Sequence, residues 1–224
     1  MNAPQRKAGT VIQYLMFIYS FYTVIIILSH LLVLKVVGIG VFTCSAAAFI
    51  LPLSYTLCDI VAEAYGYKDA KRLILISTIC QLLYGVLLYA LLFLPARHMG
   101  ENHDAYLETL KLQLFITLHF TLISYVSSYI NAYTITKWKI MLKGRYFALR
   151  SIGASVVGES LFTFVTVLDH SLFLHTFSLN YFTNLFFSVL GLKIVYAIVI
   201  ALPAAIVVRF LKQHKCVDQP ALLS

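Results

Sequence analysis

Six apolar runs, separated by short polar segments, form the pattern of this chain. A helix that crosses a bilayer needs about 20 mostly apolar residues, and each run is long enough to do so. The predicted membrane spans are residues 11–34, 41–64, 73–94, 112–136, 147–168 and 187–211. The first run lacks the small-residue cleavage site that follows the core of a signal peptide, so we predict that it remains as a span.

The segments between the runs predict the connections. We expect a turn at Gly38-Ile39-Gly40, a polar loop over residues 96–111 and a second loop over residues 169–186. The second loop contains aromatic residues but no Lys or Arg, which is typical of a segment at the membrane interface. Pro52 and Pro203 fall inside predicted spans, where proline removes a backbone N–H and favours a kink.

The composition indicates a membrane protein. Of the 224 residues, 61% are hydrophobic and only 12% are charged, and the mean hydropathy is +0.87. The core of a soluble domain of this size is too small to bury so much apolar surface. We therefore expect an all-α, polytopic membrane protein, with one six-helix domain over residues 1–224 embedded in a lipid bilayer.

The distribution of basic residues predicts the orientation. The formal net charge is +8, but the Lys and Arg residues lie mostly in short loops, which favours the positive-inside pattern over nucleic-acid binding. With the N-terminus inside, twelve of the 17 Lys and Arg residues lie on the inner side, counting Arg209 at the inner end of the last span; three lie on the outer side and two lie deeper within spans. We therefore expect both termini in the cytoplasm and the protein in the cell inner membrane.

The sequence gives little support to catalysis or metal binding. The four cysteines have no metal-ligand spacing, so we interpret them as small apolar side chains. The sequence also lacks the Gly-x-Ser-x-Gly, His-Glu-x-x-His and phosphate-loop patterns of well-known enzyme classes. We expect no cofactor, no bound metal and no enzymatic activity.

Five ionisable side chains nevertheless fall within the predicted spans. On insertion scales a charged side chain at the bilayer centre costs about 2.5–3.5 kcal/mol, so such groups are expected to face other helices or a wet cavity. Deeply placed carboxylates are usually functional. The five are Asp59, Glu63, Arg150, Glu159 and Lys193, and their formal charges sum to −1.

Helical spacing predicts which of these groups meet. Tyr55, Asp59 and Glu63 are four residues apart and therefore share one face of the second span. At about 1.5 Å per residue, Asp59 lies roughly 7 Å inside the inner boundary and Arg150 and Asn131 lie at similar depth, so contact among these three is possible.

The other two charges lie deeper. Glu159 is expected near the bilayer centre, and Lys193 in the outer half of the last span, within reach of Glu159 if their helices touch. A structural alternative is that the buried charges only form ion pairs that hold the bundle together. Glu63 and Arg150 are also close enough to the inner boundary for their side chains to reach the headgroups.

Three blocks of residues carry a family resemblance. The first is Pro52, Tyr55, Asp59, Glu63, Tyr65-Gly66-Tyr67 and Arg72; the second is Asn131, Lys137, Lys139, Gly144-Arg145-Tyr146, Arg150 to Ser155 and Val157-Gly158-Glu159; the third is Lys193, Tyr196, Pro203 and Lys212. Together, and in this order, they resemble the signature of the queuosine precursor transporter family (the VUT family, YhhQ-like).

The resemblance implies a fold and a role. It implies uptake of 7-deazaguanine precursors of queuosine and a six-helix architecture similar to the substrate-binding subunits of energy-coupling-factor vitamin transporters. The chain departs from the family pattern at His30, where many members have Asn, and at Cys58, before the motif Asp. It also has Phe162-Thr163 where an Asp-Ser pair is expected.

A guanine-type base matches the buried polar residues. It has two adjacent N–H donors on one edge, which a single carboxylate, Glu159 or Asp59, can accept. Asn131 or Arg150 is expected to read the acceptor edge, and Tyr55 or a neighbour to stack on the ring. The net charge of −1 favours an aminomethyl over a cyano substituent. The candidate substrate-binding residues are Tyr55, Asp59, Glu63, Asn131, Arg150, Ser155, Glu159 and Lys193.

Two other functions remain open from the sequence. One is the substrate-binding subunit of an ATP-driven vitamin or nucleobase importer, although residues 11–34 lack the small-residue docking stripe usual in such subunits. The other is an intramembrane enzyme that uses Asp59 and Glu159. Patches of small residues also permit a homodimer.

Overall fold

Six helices account for nearly all of the part of the chain that the structure describes. The computed structural model describes residues 3–39, 42–94, 103–173 and 178–216. All six helices are long and apolar enough to cross a membrane, which confirms the predicted fold class. Helices satisfy their own backbone groups, as hydrocarbon requires. They are α1 (Ala3–Leu32), α2 (Ala47–Ala64), α3 (Tyr67–Leu91), α4 (His103–Met141), α5 (Phe147–Phe173) and α6 (Leu179–Cys216).

Helix α2 lies at the centre of the bundle. It contacts each of the other five helices. Within its span 78% of the residues are buried, against 44% or less in each of the other five helices. Pro52 lies inside α2, and Pro203 inside α6, as the sequence predicted. The helix that carries Tyr55, Asp59 and Glu63 is therefore the one best shielded from lipid.

A short β-hairpin joins α1 to α2, and the sequence analysis did not predict it. Strands β1 (Val36–Ile39) and β2 (Phe42–Ser45) pair antiparallel, so the prediction that the second helix begins at residue 41 is wrong. The predicted turn also includes Gly40, which lies outside the described residues. The strands are rich in the β-branched and aromatic residues that favour extended structure, and an apolar run of that kind does not distinguish strand from helix.

Side-chain hydrogen bonds mark where α2 begins. The Ser45 hydroxyl donates to the Val33 carbonyl at 3.0 Å and accepts from the backbone N–H of Ala47 at 3.2 Å. These bonds fasten the base of the hairpin to the end of α1 and satisfy one N–H in the first turn of α2.

Several helices extend beyond their predicted spans. Most of the predicted loop 96–111 is helical from His103 onward, and the predicted loop 169–186 is helical up to Phe173 and from Leu179. The basic residues at 137–141 also belong to α4. With 39 residues, α4 is about 58 Å long, well beyond a hydrocarbon core of about 30 Å. Apolarity therefore located the spans but not the ends of the helices.

The turn between α2 and α3 is tighter than predicted. Helix α3 begins at Tyr67, six residues before the predicted start, because Gly66 reverses the chain directly. Its φ of +104° is readily adopted only by glycine.

The bundle has one basic end, which we define by Lys68, Lys71, Lys139, Arg145 and Lys212. Helices α2, α4 and α6 finish there, and α3 and α5 start there. The Tyr19 hydroxyl of α1 donates to the backbone carbonyl of Asp69 in α3 at 2.8 Å, so the first half of α1 lies at the same end.

Two glycines allow α4 and α5 to pack closely. A Cβ on Gly153 would lie 2.2 Å from a ring carbon of Trp138. A Cβ on Gly158 would lie 3.0 Å from the Ser127 carbonyl oxygen and 3.0 Å from the Asn131 Cβ. Small residues commonly allow this close approach between membrane helices.

We predict that Gly153→Ala destabilises the bundle by about 1–3 kcal/mol, because the added methyl forces the Trp138 ring to move. The melting temperature of the purified protein in detergent should fall. The matched control is Gly191→Ala in α6, where an added Cβ meets no atom within 4 Å. Equal melting temperatures for the two variants would contradict the prediction.

Candidate substrate-binding site

The polar face of α2 points into the bundle, as its spacing predicted. Tyr55, Asp59 and Glu63 are all 3% exposed or less. Their side chains meet α4, α5 and α6, and each meets a different set of partners. The face therefore contributes an acid to each of two clusters, and Tyr55 lies beside a third cluster that α5 and α6 form.

Asp59 is held by neutral donors. The Asn131 amide donates to Asp59 Oδ1 at 2.7 Å, and the Ser151 hydroxyl donates to Asp59 Oδ2 at 2.6 Å. Ser155, one turn beyond Ser151 on α5, is also buried and faces the same carboxylate. The predicted meeting of Asp59 with Asn131 is thus found, while Arg150 forms its ion pair elsewhere.

Glu63 is surrounded by cations. Arg150 Nη1 lies 3.0 Å from Glu63 Oε2, Lys139 Nζ lies 3.7 Å from the same oxygen, and Lys212 Nζ contacts Oε1. Arg150 also donates through Nε to the Arg145 carbonyl at 2.8 Å. This cluster, which joins α2 to α4, α5 and α6 at the basic end, has three cations for one acid.

Glu159 and Lys193 form the third cluster. Their Oε2 and Nζ atoms are 2.8 Å apart, so α5 and α6 touch where the sequence put Lys193 within reach of Glu159. Lys193 Nζ also donates to Thr163 Oγ1 at 3.1 Å and lies 4.8 Å from the centre of the Phe162 ring. Phe162 and Thr163, two of the residues at which the chain departs from the family pattern, therefore both contact Lys193.

Tyr55 lies between the Asp59 and Glu159 clusters. Its hydroxyl donates to Ser127 Oγ at 2.8 Å, and its ring packs with Leu51 and Phe162. A Cβ on Gly158 would lie 3.0 Å from Tyr55 Cε1, so this ring reaches the α4–α5 contact immediately before Glu159.

Four buried polar atoms in the described part of the chain have no hydrogen-bond partner. They are Asn131 Oδ1, Glu159 Oε1, Glu159 Oε2 and His30 Nδ1. Lys193 Nζ lies 2.8 Å from Glu159 Oε2, so this oxygen has a charged partner, whereas Oε1 has none in the described part of the chain. Buried acceptors are normally satisfied, so the Asn131 and Glu159 oxygens indicate a place for an N–H donor from outside the chain.

Some important side chains were missing from the predicted set. Ser151 was part of the second sequence block. Its position one helical turn before the candidate Ser155 was a signal that it faces the same site. Lys139 and Lys212 were assigned to the inner loops, and no sequence signal linked them to Glu63. Thr163 and Phe162 were noted only as departures from the family pattern.

Metal binding finds no structural support among the described residues. No group of three or more His, Cys, Asp or Glu side chains there is placed to hold an ion. The expectation that the protein uses no cofactor stays a prediction.

The comparison with known families returned one match. A family model described as "Putative vitamin uptake transporter" matches residues 45–208. The match begins at the end of the hairpin and includes every candidate substrate-binding residue. Neither the curated proteins nor the solved structures compared with the chain gave a match.

We predict that Glu63→Gln destabilises the protein by about 3–5 kcal/mol, because it leaves the fully buried Arg150 guanidinium without its counter-charge. Thermal unfolding in detergent measures the loss. The control is Asp69→Asn, which removes the ion pair to the exposed Arg72 and should cost less than about 1 kcal/mol. A loss at Glu63 no larger than that at Asp69 would contradict the prediction.

Proposed function

We propose that this chain, which belongs to the family of vitamin uptake transporters, carries a 7-deazaguanine-type precursor of queuosine into the cell. The family match confirms the resemblance found in the sequence and supports membrane transport of a small molecule. The substrate is the further step of the proposal. It is supported by the chemistry of the buried polar clusters.

The observation that carries the proposal is the set of unpaired acceptors at the α4–α5 contact. Asn131 Oδ1 and Glu159 Oε1 are buried and have no donor among the described residues, and Glu159 Oε2 has only its ion pair with Lys193. A ligand that supplies several N–H groups would satisfy them. A guanine-type base has such groups side by side on one edge, and one carboxylate can accept two of them.

Glu159 is a better candidate than Asp59 for this carboxylate. Both oxygens of Asp59 already accept hydrogen bonds, from Asn131 and Ser151. The bond to Asp59 uses one N–H of Asn131, and its unpartnered Oδ1 offers an acceptor to the ligand. Arg150 is committed to Glu63 and to the backbone of residues 144–145.

Lys193 is therefore our candidate for reading the acceptor edge of the base. It has three N–H donors, and its contacts with Glu159 and Thr163 would loosen when the ligand takes over Glu159. The Tyr55 ring, which reaches the same contact, is the candidate for stacking. In this proposal Glu63 and Arg150 serve the stability of the site.

The charge distribution favours an aminomethyl over a cyano substituent. Glu159 and Lys193 neutralise each other, whereas the hydrogen bonds to Asp59 come only from neutral groups. Lys139 and Lys212 offset the spare negative charge that the sequence predicted, so the preference rests on Asp59, whose hydrogen-bond partners are neutral. A protonated aminomethyl group would be attracted to it across a low-dielectric interior.

We further propose that the protein works alone as a transporter and is not an enzyme. Uptake by the purified chain in liposomes without ATP would support this. A requirement for a separate ATP-driven module would instead identify a substrate-binding subunit. Chemical alteration of the substrate, seen by mass spectrometry, would identify an enzyme.

We predict that Glu159→Gln lowers uptake of labelled aminomethyl-deazaguanine at least tenfold, because one of the two acceptor oxygens becomes an NH2 donor that opposes an N–H of the base. Liposome uptake and thermal-shift binding with deazaguanines, guanine and unrelated vitamins provide the measurements. Glu108→Gln, at an exposed site in α4, is the matched control and should transport normally.

A double variant separates binding from folding. Glu159→Gln/Lys193→Met removes both members of the ion pair and should melt closer to the wild type than Glu159→Gln alone. It should still fail to bind the base. Normal uptake by Glu159→Gln, or stabilisation of the wild type by vitamins but not by deazaguanines, would overturn the proposed substrate.

We predict that both termini lie in the cytoplasm and that the protein resides in the cell inner membrane. The basic end would then face inward, as the positive-inside rule requires. A green fluorescent protein fused after Ser224 should fluoresce, and alkaline phosphatase fused at the same site should be inactive. The reverse result would contradict this orientation.

A further inference from the structure

We propose that the groove between α4 and α5 at the basic end binds an anionic phospholipid. The groove has a volume of about 270 Å³ and is lined by Trp138, Met141, Leu142, Leu149 and Arg150. It is separate from the clusters around Asp59 and Glu159. The proposal does not depend on the transported substrate.

The walls of the groove suit an acyl chain. Met141 and Leu149, one on each helix, are 69% and 64% exposed, and Leu142 is also exposed. The Trp138 ring lies over Gly153, where even a methyl group would not fit. This close approach packs Trp138 against α5, and the exposed Met141, Leu142 and Leu149 side chains line the groove beside it.

The rim of the groove suits a phosphodiester. Residues 137–150 include five Lys and Arg residues and no Asp or Glu. Three of these cations have defined contacts: Lys139 and Arg150 with Glu63, and Lys137 with the Tyr133 ring.

The other two cations are Lys143 and Arg145. Their side chains have no ion-pair or hydrogen-bond partner in the described part of the chain, and both are exposed.

Arg150 holds the loop that presents these two cations. Its Nε donates to the Arg145 carbonyl at 2.8 Å and its Nη2 donates to the Gly144 carbonyl at 3.4 Å. Both carbonyls are thereby directed inward, beside Glu63. Lys143 and Gly144 have φ values of 50° and 75°, so the chain turns sharply at the rim.

Charge and location together favour a lipid as the occupant. Tryptophan and basic residues beside an apolar surface are typical of the membrane interface, where phospholipid headgroups lie. Basic pockets between membrane helices bind anionic headgroups, and each Lys or Arg strengthens attraction to an anionic lipid about fivefold.

The single tryptophan of the chain makes the proposal directly testable. Bromine on an acyl chain quenches tryptophan fluorescence at contact, and Trp138 lines the groove. The full-length protein would be reconstituted in phosphatidylcholine vesicles that contain the same mole fraction of brominated phosphatidylglycerol or brominated phosphatidylcholine. We expect the anionic lipid to quench Trp138 several-fold more efficiently, and unbrominated phosphatidylglycerol to reverse the excess.

A charge variant tests the rim. In Lys143→Gln/Arg145→Gln the excess quenching should fall to the level of the zwitterionic lipid, while the backbone carbonyls that Arg150 binds remain. Lys68→Gln/Lys71→Gln makes the same charge change on α3 at the same end and should retain the excess. Equal quenching of the wild type by both lipids, or equal loss in the two variants, would overturn the proposal.

Discussion

Buried charge on α2 is the constraint on which the rest of the structure depends. A carboxylate in a hydrocarbon layer is stable only if other groups surround it. Glu63 obtains cations from α4, α5 and α6, including the fully buried Arg150. Asp59 obtains hydrogen bonds from Asn131 and Ser151. Because these partners come from three helices, α2 has to lie at the centre of the bundle.

The three buried clusters, two around acids of α2 and one around Glu159 of α5, differ in how fully the carboxylate oxygens are satisfied. Three cations surround the single negative charge of Glu63, and this arrangement suits a permanent contact between helices. Asp59 has a donor for each oxygen. Glu159 has one close cation and otherwise unsatisfied oxygens. The free energy that a ligand could gain is therefore greatest at Glu159, because the other two carboxylates already have their partners.

The environment of Lys193 shows how a departure from a family pattern can be accommodated. The family resemblance predicts an Asp-Ser pair at the positions of Phe162 and Thr163. Both of these residues contact Lys193. The ring attracts the ammonium group through its π electrons, and the hydroxyl accepts a hydrogen bond. One acid, Glu159, then suffices to neutralise the lysine. Because the expected Asp is absent, the site has less negative charge than the family pattern implies. This difference affects which charged substituent the ligand can carry.

The sequence alone determined the number of helices and the buried face of α2, because apolar length and helical spacing are local properties. It put Lys193 within reach of Glu159 only if their helices touch, and the tertiary structure decided that they do. The sequence missed the hairpin, since an apolar run at 36–45 is compatible with strand or helix. It also missed the contacts of Lys139 and Lys212 with Glu63. These lysines are 76 and 149 positions from Glu63 along the chain, and they meet it only because four helices converge. The way the helices meet also decides which buried oxygens have no hydrogen-bond donor. Hydrogen bonding depends on distances of a few tenths of an ångström between helices, and no spacing along the chain encodes these.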